Sequence, residues 1–290
     1  MITVWCVTDD KPGHKSQLVG LVKALAAKME LHCEWLSLQQ KQQWPTTAKP
    51  DLILAAGSRT HIPALGLRWR YGGKLVILMK PFLPRFCFDL CLLPEHDGIK
   101  SNGKLVTTKG AINPVDCSEQ SDPQRGLILI GGPSKHYGWV DQQIIEQLME
   151  LQRQQPTVVW TLTTSRRTPT TFVPALQAAM RDSAGANSLT IVPFEQTDSA
   201  WLLAQYRDCG VIWVTEDSVS MVYESLSSGA ATGILSVPRL NQNRVSKGLD
   251  QLIVEQLVMQ LTEDVSRVRL KHSPLREAER AAEIIIARLL

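Results

Sequence analysis

Two successive series of short apolar runs, each alternating with helical segments, restrict the fold of this chain more than any other feature. In the first series the runs fall at residues 2–7, 33–38, 52–56, 75–79, 88–93 and 105–108. Between the first two, Leu18, Val19, Leu21, Val22, Leu25 and Ala26 recur at three- and four-residue spacing, which predicts a helix from Ser16 to about Met29. A second helix ends near Arg70. The second series has runs at 127–130, 158–162, 189–192, 211–214 and 234–237. Its helices are expected over 140–154, after the turn at 163–169, over 199–207 and over 217–229. Strands that are apolar throughout and separated by helices belong to parallel βαβ units. The expected class is therefore α/β, with two Rossmann-like doubly wound domains facing across a cleft. A chain of 290 residues is also long for one small core. Residues 113–125, rich in Pro, Asp, Ser and Gln, break the rhythm and read as the linker. The domains are expected at 1–118 and 119–272. A closing helix within 273–290, with Ala281, Ile284, Ile285 and Leu289 on one face, is expected to lie across the junction.

In doubly wound sheets ligands sit beyond the carboxyl ends of the strands, so the polar turns there carry the functional reading. In the second half, Gly131-Gly132 can bring backbone N–H groups close to an anion because no side chain intervenes. Ser134 and Lys135 add a hydroxyl and a point charge. At the next strand end Ser165, Arg166 and Arg167 offer donors suited to phosphate. Thr215, Ser218 and Ser220 place hydroxyls at a helix N-terminus, whose dipole favours negative charge. Each alone reads equally as helix capping or a solvated cation; three at one sheet edge point to a diphosphate site. Glu224, four residues past Ser220, is a candidate for ribose hydroxyls, against the plainer reading of a surface glutamate. His136 and Tyr137 take no site role; packing against the following helix is expected of them.

In the first half Asp9, Asp10, Lys11 and His14 crowd the first strand-to-helix turn. An imidazole there can serve as general base, since its unperturbed pKa lies near neutrality, and Asp9 is a second catalytic candidate on the same turn. Lys11, Arg59, Glu95 and His96 are candidates on the acceptor side; for Glu95-His96-Asp97 a turn and capping role competes. Lys15-Ser16 lacks the upstream glycine spacing of a phosphate loop, and no Gly-x-Ser-x-Gly elbow occurs. No cysteine or histidine spacing suits a metal, and no cofactor is expected. The six cysteines, mostly inside apolar runs, read as buried free thiols.

Net charge is +3, too weak to suggest nucleic acid as a partner, but it is uneven: +5 over residues 1–120 and −2 over 121–290. No acidic residue occurs between Asp51 and Asp89, where Arg59, Arg68, Arg70, Lys74, Lys80 and Arg85 are interleaved with Trp69, Tyr71, Phe82 and Phe86. That mixture suits an anionic membrane surface, although scattered cations over core aromatics would read the same way. The chain opens directly on a strand and has no apolar run near the roughly 20 residues of a spanning helix. A cytoplasmic location, at most peripheral to a membrane, is expected; the oligomeric state is not legible.

The turns, taken together, resemble the elongated-mitochondria fission-protein family, whose bacterial members carry labels of nucleoside-diphosphate-sugar epimerase or glycosyltransferase. The resemblance rests on Thr8-Asp9-Asp10-Lys11-Pro12-Gly13-His14, Ala55-Ala56-Gly57-Ser58-Arg59-Thr60 and Pro94-Glu95-His96-Asp97. It continues in Gly131-Gly132-Pro133-Ser134-Lys135-His136-Tyr137, Thr164-Ser165-Arg166-Arg167-Thr168-Pro169 and Val214-Thr215-Glu216-Asp217-Ser218-Val219-Ser220-Met221. Asp10 stands where family members more often have glycine. The resemblance implies a fold like the two-Rossmann-domain (GT-B) glycosyltransferases and the non-hydrolysing sugar-nucleotide epimerase. It further implies that the C-terminal domain holds the sugar nucleotide and the N-terminal domain the acceptor and base. The segment from Tyr223 to Ala230 is similar to the one where a superfamily glutamate binds ribose, and His14 to the first-loop histidine of some members. Three readings follow: a metal-independent glycosyltransferase using a nucleoside-diphosphate sugar, an epimerase of such sugars, and a non-catalytic adaptor, the role linked to plant members.

Overall fold

In a computed structural model, which describes residues 1–44, 49–95, 103–117, 121–181, 189–242, 244–261 and 273–290, the chain divides into two compact units. One comprises Met1–Pro114 with Arg276–Leu290, the other Val115–Leu275. Each holds one six-stranded parallel sheet with helices against it.

In the first unit β1 (Ile2–Thr8), β2 (Leu31–Ser37), β3 (Leu52–Ala56), β4 (Lys74–Leu78), β5 (Leu90–Pro94) and β6 (Leu105–Thr108) lie in the order β2-β1-β3-β4-β5-β6. Strand residues alternate between two cores, as the twofold period of a strand requires. Val4, Cys6, Leu52 and Leu54 face α1 (Pro12–Ala26) and the last helix of the chain, α8 (Glu277–Leu289). Trp5, Val7, Ile53 and Ala55 share the opposite core with Ala64 and Leu67 of α2 (His61–Tyr71). Ala281, Ala282 and Ile285 bury α8 against this unit.

The second unit contains β7 (Asp122–Leu129), α3 (Asp141–Gln154), β8 (Val159–Thr163), α4 (Phe172–Arg181), β9 (Leu189–Val192) and α5 (Ser199–Asp208). It continues through β10 (Cys209–Thr215), α6 (Val219–Ser228), β11 (Ala231–Leu235), α7 (Arg244–Val254) and β12 (Met259–Gln260). The order is β12-β11-β10-β7-β8-β9. Ile128, Trp160 and Leu162 join Ile144 and Leu148 of α3 on one face; Leu127, Leu129 and Ile212 join Val222 and Leu226 of α6 on the other.

The expected alternation is present, with three differences. The first helix begins at Pro12 rather than Ser16, because proline at the first helical position loses no hydrogen bond and its φ is already helical. His14 therefore sits in the first turn of α1, not in a loop. Part of the stretch read as linker is strand: β7 starts at Asp122, its first four residues exposed and its last four buried. The series also continues beyond residue 237, into α7 and β12.

Both sheets have one topological switch. β1 and β3 are neighbours in the first, and chain connections leave them in opposite directions across the sheet; β7 and β10 play the same part in the second. The crevice at the carboxyl ends of such a pair is where this architecture binds ligands.

Candidate functional site

At the first switch, β1 ends in Thr8 and the chain turns through Asp9 and Asp10. Asp10 adopts φ 60°, in the left-handed region where glycine is the easier residue. Its N–H donates to Thr8 Oγ1 (3.0 Å), and its carboxylate accepts from the Ser37 hydroxyl, so local hydrogen bonds hold the strained turn. The turn aims Asp9 at α1. His14 Nδ1 lies 2.7 Å from Asp9 Oδ1, with the Asp9 side chain 4% and the His14 side chain 17% exposed. A carboxylate only accepts, so Nδ1 carries the proton and Nε2 of the neutral ring is the basic nitrogen. Burial acts to raise the Asp9 carboxyl, but the hydrogen bond and charge of His14, helped by Lys11, outweigh it and hold the group below its ordinary value. Lys11 Nζ lies 3.8 Å from Asp9 Oδ2.

The neighbouring strand end completes this pair. Gly57, following β3, has φ 89°, and a Cβ there would come within 2.4 Å of His14 Nδ1. Only glycine lets the imidazole rest on this turn. Arg59 is exposed just beyond it, and Glu95 is exposed after β5. His96 and Asp97 lie outside the described residues.

At the second switch the structure sorts the candidates into two groups. Gly131 N–H donates to Thr215 Oγ1 (2.8 Å), and Gly132 N–H donates to Asp217 Oδ2 (3.0 Å). Arg167 Nη2 is 2.7 Å from the same carboxylate oxygen and donates to Ser218 Oγ (3.0 Å), while Nη1 donates to the Gly132 carbonyl (2.6 Å). Ser218 donates to Asp217 Oδ2 in turn (3.1 Å). A cradle suited to an anion thus already encloses one: the Asp217 side chain is fully buried, and a Cβ on Gly131 would meet its Oδ2 at 2.2 Å. Ser165 donates to the Gly131 carbonyl, and Ser134 Oγ accepts the N–H groups of His136 and Tyr137. These two hydroxyls fix turns.

Lys135, Arg166 and Ser220 form the second group. All three are exposed, and among the described residues Lys135 and Arg166 have neither an ion pair nor a side-chain hydrogen bond. They remain open to a ligand at this edge. Tyr137 is a core residue, 2% exposed, and His136 Nδ1 lies 3.0 Å from Asn241 Oδ1. Glu224 accepts from the hydroxyl of fully buried Tyr206 (2.9 Å). Burial raises the Glu224 carboxyl to about 7 against the opposing effect of that hydrogen bond.

Glu224 therefore holds a proton in the folded state between its ordinary value of 4.5 and about 7. The stabilisation this gives is fully present below 4.5 and is lost as pH rises through 7. Glu224→Gln, which keeps an acceptor for Tyr206, is expected to be the more stable protein above that range and to lack the wild-type decline across it. Denaturant unfolding on either side of the range measures this.

Two residues outside the expected set prove central. Asp217 is the internal anion just described. Glu216, 5% exposed, accepts from Arg239 Nε (2.9 Å) and Nη2 (2.7 Å) and from the Val237 N–H, tying the end of β10 to the segment after β11. The signal for both was in Glu216-Asp217 itself: two acids at a strand end otherwise full of anion donors. Among the described residues no group of three or more His, Cys, Asp or Glu is placed to hold a metal ion.

Two parallel six-stranded α/β sheets, each with a polar cluster at its switch point, define a protein of the GT-B fold class. The chain belongs to the mitochondrial fission ELM1 family, whose model matches residues 12–289. The uncharacterized protein RP120 of Rickettsia prowazekii (strain Madrid E) is 24% identical, over 98% of either chain. Among solved structures, UDP-GlcNAc 2-epimerase from Methanocaldococcus jannaschii is similar with a TM-score of 0.59 and 11% identity, over 98% of this chain and 99% of that one. MurG of Acinetobacter baumannii gives 0.56 and 12%, over 99% and 100%. At these identities the likeness is one of fold.

Proposed function

We propose that this protein is a metal-independent glycosyltransferase that uses a nucleoside-diphosphate sugar, with an envelope or membrane-associated hydroxyl as acceptor. The Asp9–His14 pair carries the proposal: a buried carboxylate fixes the tautomer of an imidazole at a sheet switch point. In the reaction the acceptor hydroxyl gives its proton to His14 Nε2 as its oxygen bonds to the anomeric carbon. The bond from that carbon to the diphosphate oxygen breaks, and the nucleoside diphosphate leaves with the electron pair. Asp9 stabilises the imidazolium formed. Lys135 and Arg166 receive the charge that develops on the diphosphate, where the N-terminus of α6 adds its dipole.

One observation favours a second reading, an adaptor that keeps the fold without catalysis. Gly132 and Arg167, which would hold a diphosphate, are already engaged by Asp217. Thermal unfolding with a panel of nucleoside diphosphates separates the two. A ligand at 100 times its dissociation constant stabilises by about 2.7 kcal/mol, and this gain is expected to shrink in Arg166→Ala and Lys135→Ala. An unchanged midpoint with every nucleotide would leave the adaptor reading standing. Incubating the bound sugar nucleotide without acceptor then distinguishes a transferase, which leaves it intact, from an epimerase, which converts it.

A further inference from the structure

The first unit carries an apolar and cationic surface that the chemistry above does not use. Ile62 and Trp69 on α2 are 65% and 91% exposed, and their seven-residue spacing puts them on one helix face. The segment after β4 lies beside this helix and is fastened to it at both ends. The Phe82 ring stacks on His61 with centroids 5.1 Å apart and planes within 6°. Arg68 Nη1 donates to the Cys87 carbonyl (2.9 Å) and Nη2 to Asp89 Oδ1 (3.0 Å). Phe82 is nevertheless 54% and Phe86 77% exposed. His61 is fully buried, and neither of its ring nitrogens has a hydrogen-bond partner. It serves as a flat apolar support that presents Phe82 outward.

The charges on this surface have one sign. Lys80 comes just before Phe82 and Arg85 just before Phe86, and both are exposed; Arg59 and Arg70 are exposed at the two ends of α2. Among the described residues none of these four has an ion pair. The nearest acid in sequence, Asp89, is taken by Arg68. Large exposed aromatics in a soluble fold mark an interaction surface. Aromatic rings and cations with no intervening acid match the headgroup layer of an anionic bilayer, where the rings enter the interface and the cations stay among the phosphates.

We propose that α2 and the segment 79–88 dock this protein on membranes that contain anionic lipid. Phe82 and Phe86 enter the interface, and Lys80 and Arg85 pair with the lipid headgroups. This partner does not depend on nucleotide binding: a transferase and an adaptor would both use it, and nucleotide-induced thermal shifts report separately on the enzymatic reading.

Co-sedimentation of the full chain with vesicles tests the proposal. Binding is expected to vesicles of phosphatidylcholine with phosphatidylglycerol, not to phosphatidylcholine alone, and is expected to weaken as salt rises. Lys80→Glu with Arg85→Glu should lower the partition coefficient by about tenfold or more. Phe82→Ser with Phe86→Ser should lower it while leaving the salt dependence in place. All four positions are surface or loop sites; an unchanged melting temperature confirms that each variant is folded. Absence of sedimentation with anionic vesicles, or equal binding by the variants, overturns the proposal. So does a dimer in solution that the phenylalanine variant abolishes without any effect on vesicles, since that would assign the face to a second copy of the chain.

Discussion

His14→Ala is expected to lower turnover by about 10²–10⁴-fold, the usual contribution of a positioned general base, while the nucleotide-induced thermal shift keeps its wild-type size. The two readouts are separable because His14 belongs to the first unit and the proposed diphosphate contacts, Lys135 and Arg166, to the second. The loss corresponds to roughly 3–5 kcal/mol of transition-state stabilisation. Asp9→Asn should reproduce part of it. An amide can donate to His14 Nδ1 and so favour the tautomer with the proton on Nε2, which cannot accept from the acceptor. Steady-state turnover of the two variants, with nucleotide binding measured alongside, checks both effects. Full activity in His14→Ala removes the base from the proposed reaction, and a parallel loss of nucleotide binding points to a structural role.

Both members of that pair stand out in the sequence because they crowd one strand-to-helix turn, five residues apart. The strand-type run, the two acids and the imidazole mark the turn, and the contact between Asp9 and His14 is what the structure adds. What could not be read there is the support from Gly57, which comes from another strand end and depends on the parallel register of β1 with β3. The start of α1 was misplaced for a local reason: Pro12 and Gly13 read as loop residues, yet proline is favoured in a first helical turn. The second cluster shows the opposite limit. Its glycines, cations and hydroxyls were recognised, but donor-rich turns look the same whether their anion is a ligand or a side chain of the chain itself. Asp217 reaches Gly131 and Gly132 only because β10 is adjacent to β7, a non-sequential neighbour. The same blindness to long-range pairing applies to Glu224, whose partner Tyr206 stands 18 positions earlier on α5.

The Arg167–Asp217 contact supplies the second large effect, because its partners differ so much in exposure. Arg167→Ala is expected to destabilise the second unit by about 1–3 kcal/mol, the cost of stripping a charged partner from a buried carboxylate. Asp217, its side chain wholly excluded from water, would retain only the Gly132 N–H and the Ser218 hydroxyl. Asp217→Asn should cost less, since the Arg167 side chain is 40% exposed and can turn to solvent. The double variant should therefore be more stable than the sum of the single costs allows, and denaturant unfolding of all four proteins measures the coupling. The same asymmetry bears on function. If the Gly132–Arg167–Ser218 cradle holds a substrate diphosphate, Asp217 competes for its donors, and Asp217→Asn will bind nucleoside diphosphates more tightly than wild type. If the cradle exists to hold β7, β8 and β10 together at their ends, the substitution will lower stability and leave nucleotide affinity untouched. Calorimetric titration of Asp217→Asn with a nucleoside diphosphate distinguishes the two, because one direction of change belongs to a ligand displaced and the other to a structural anion lost.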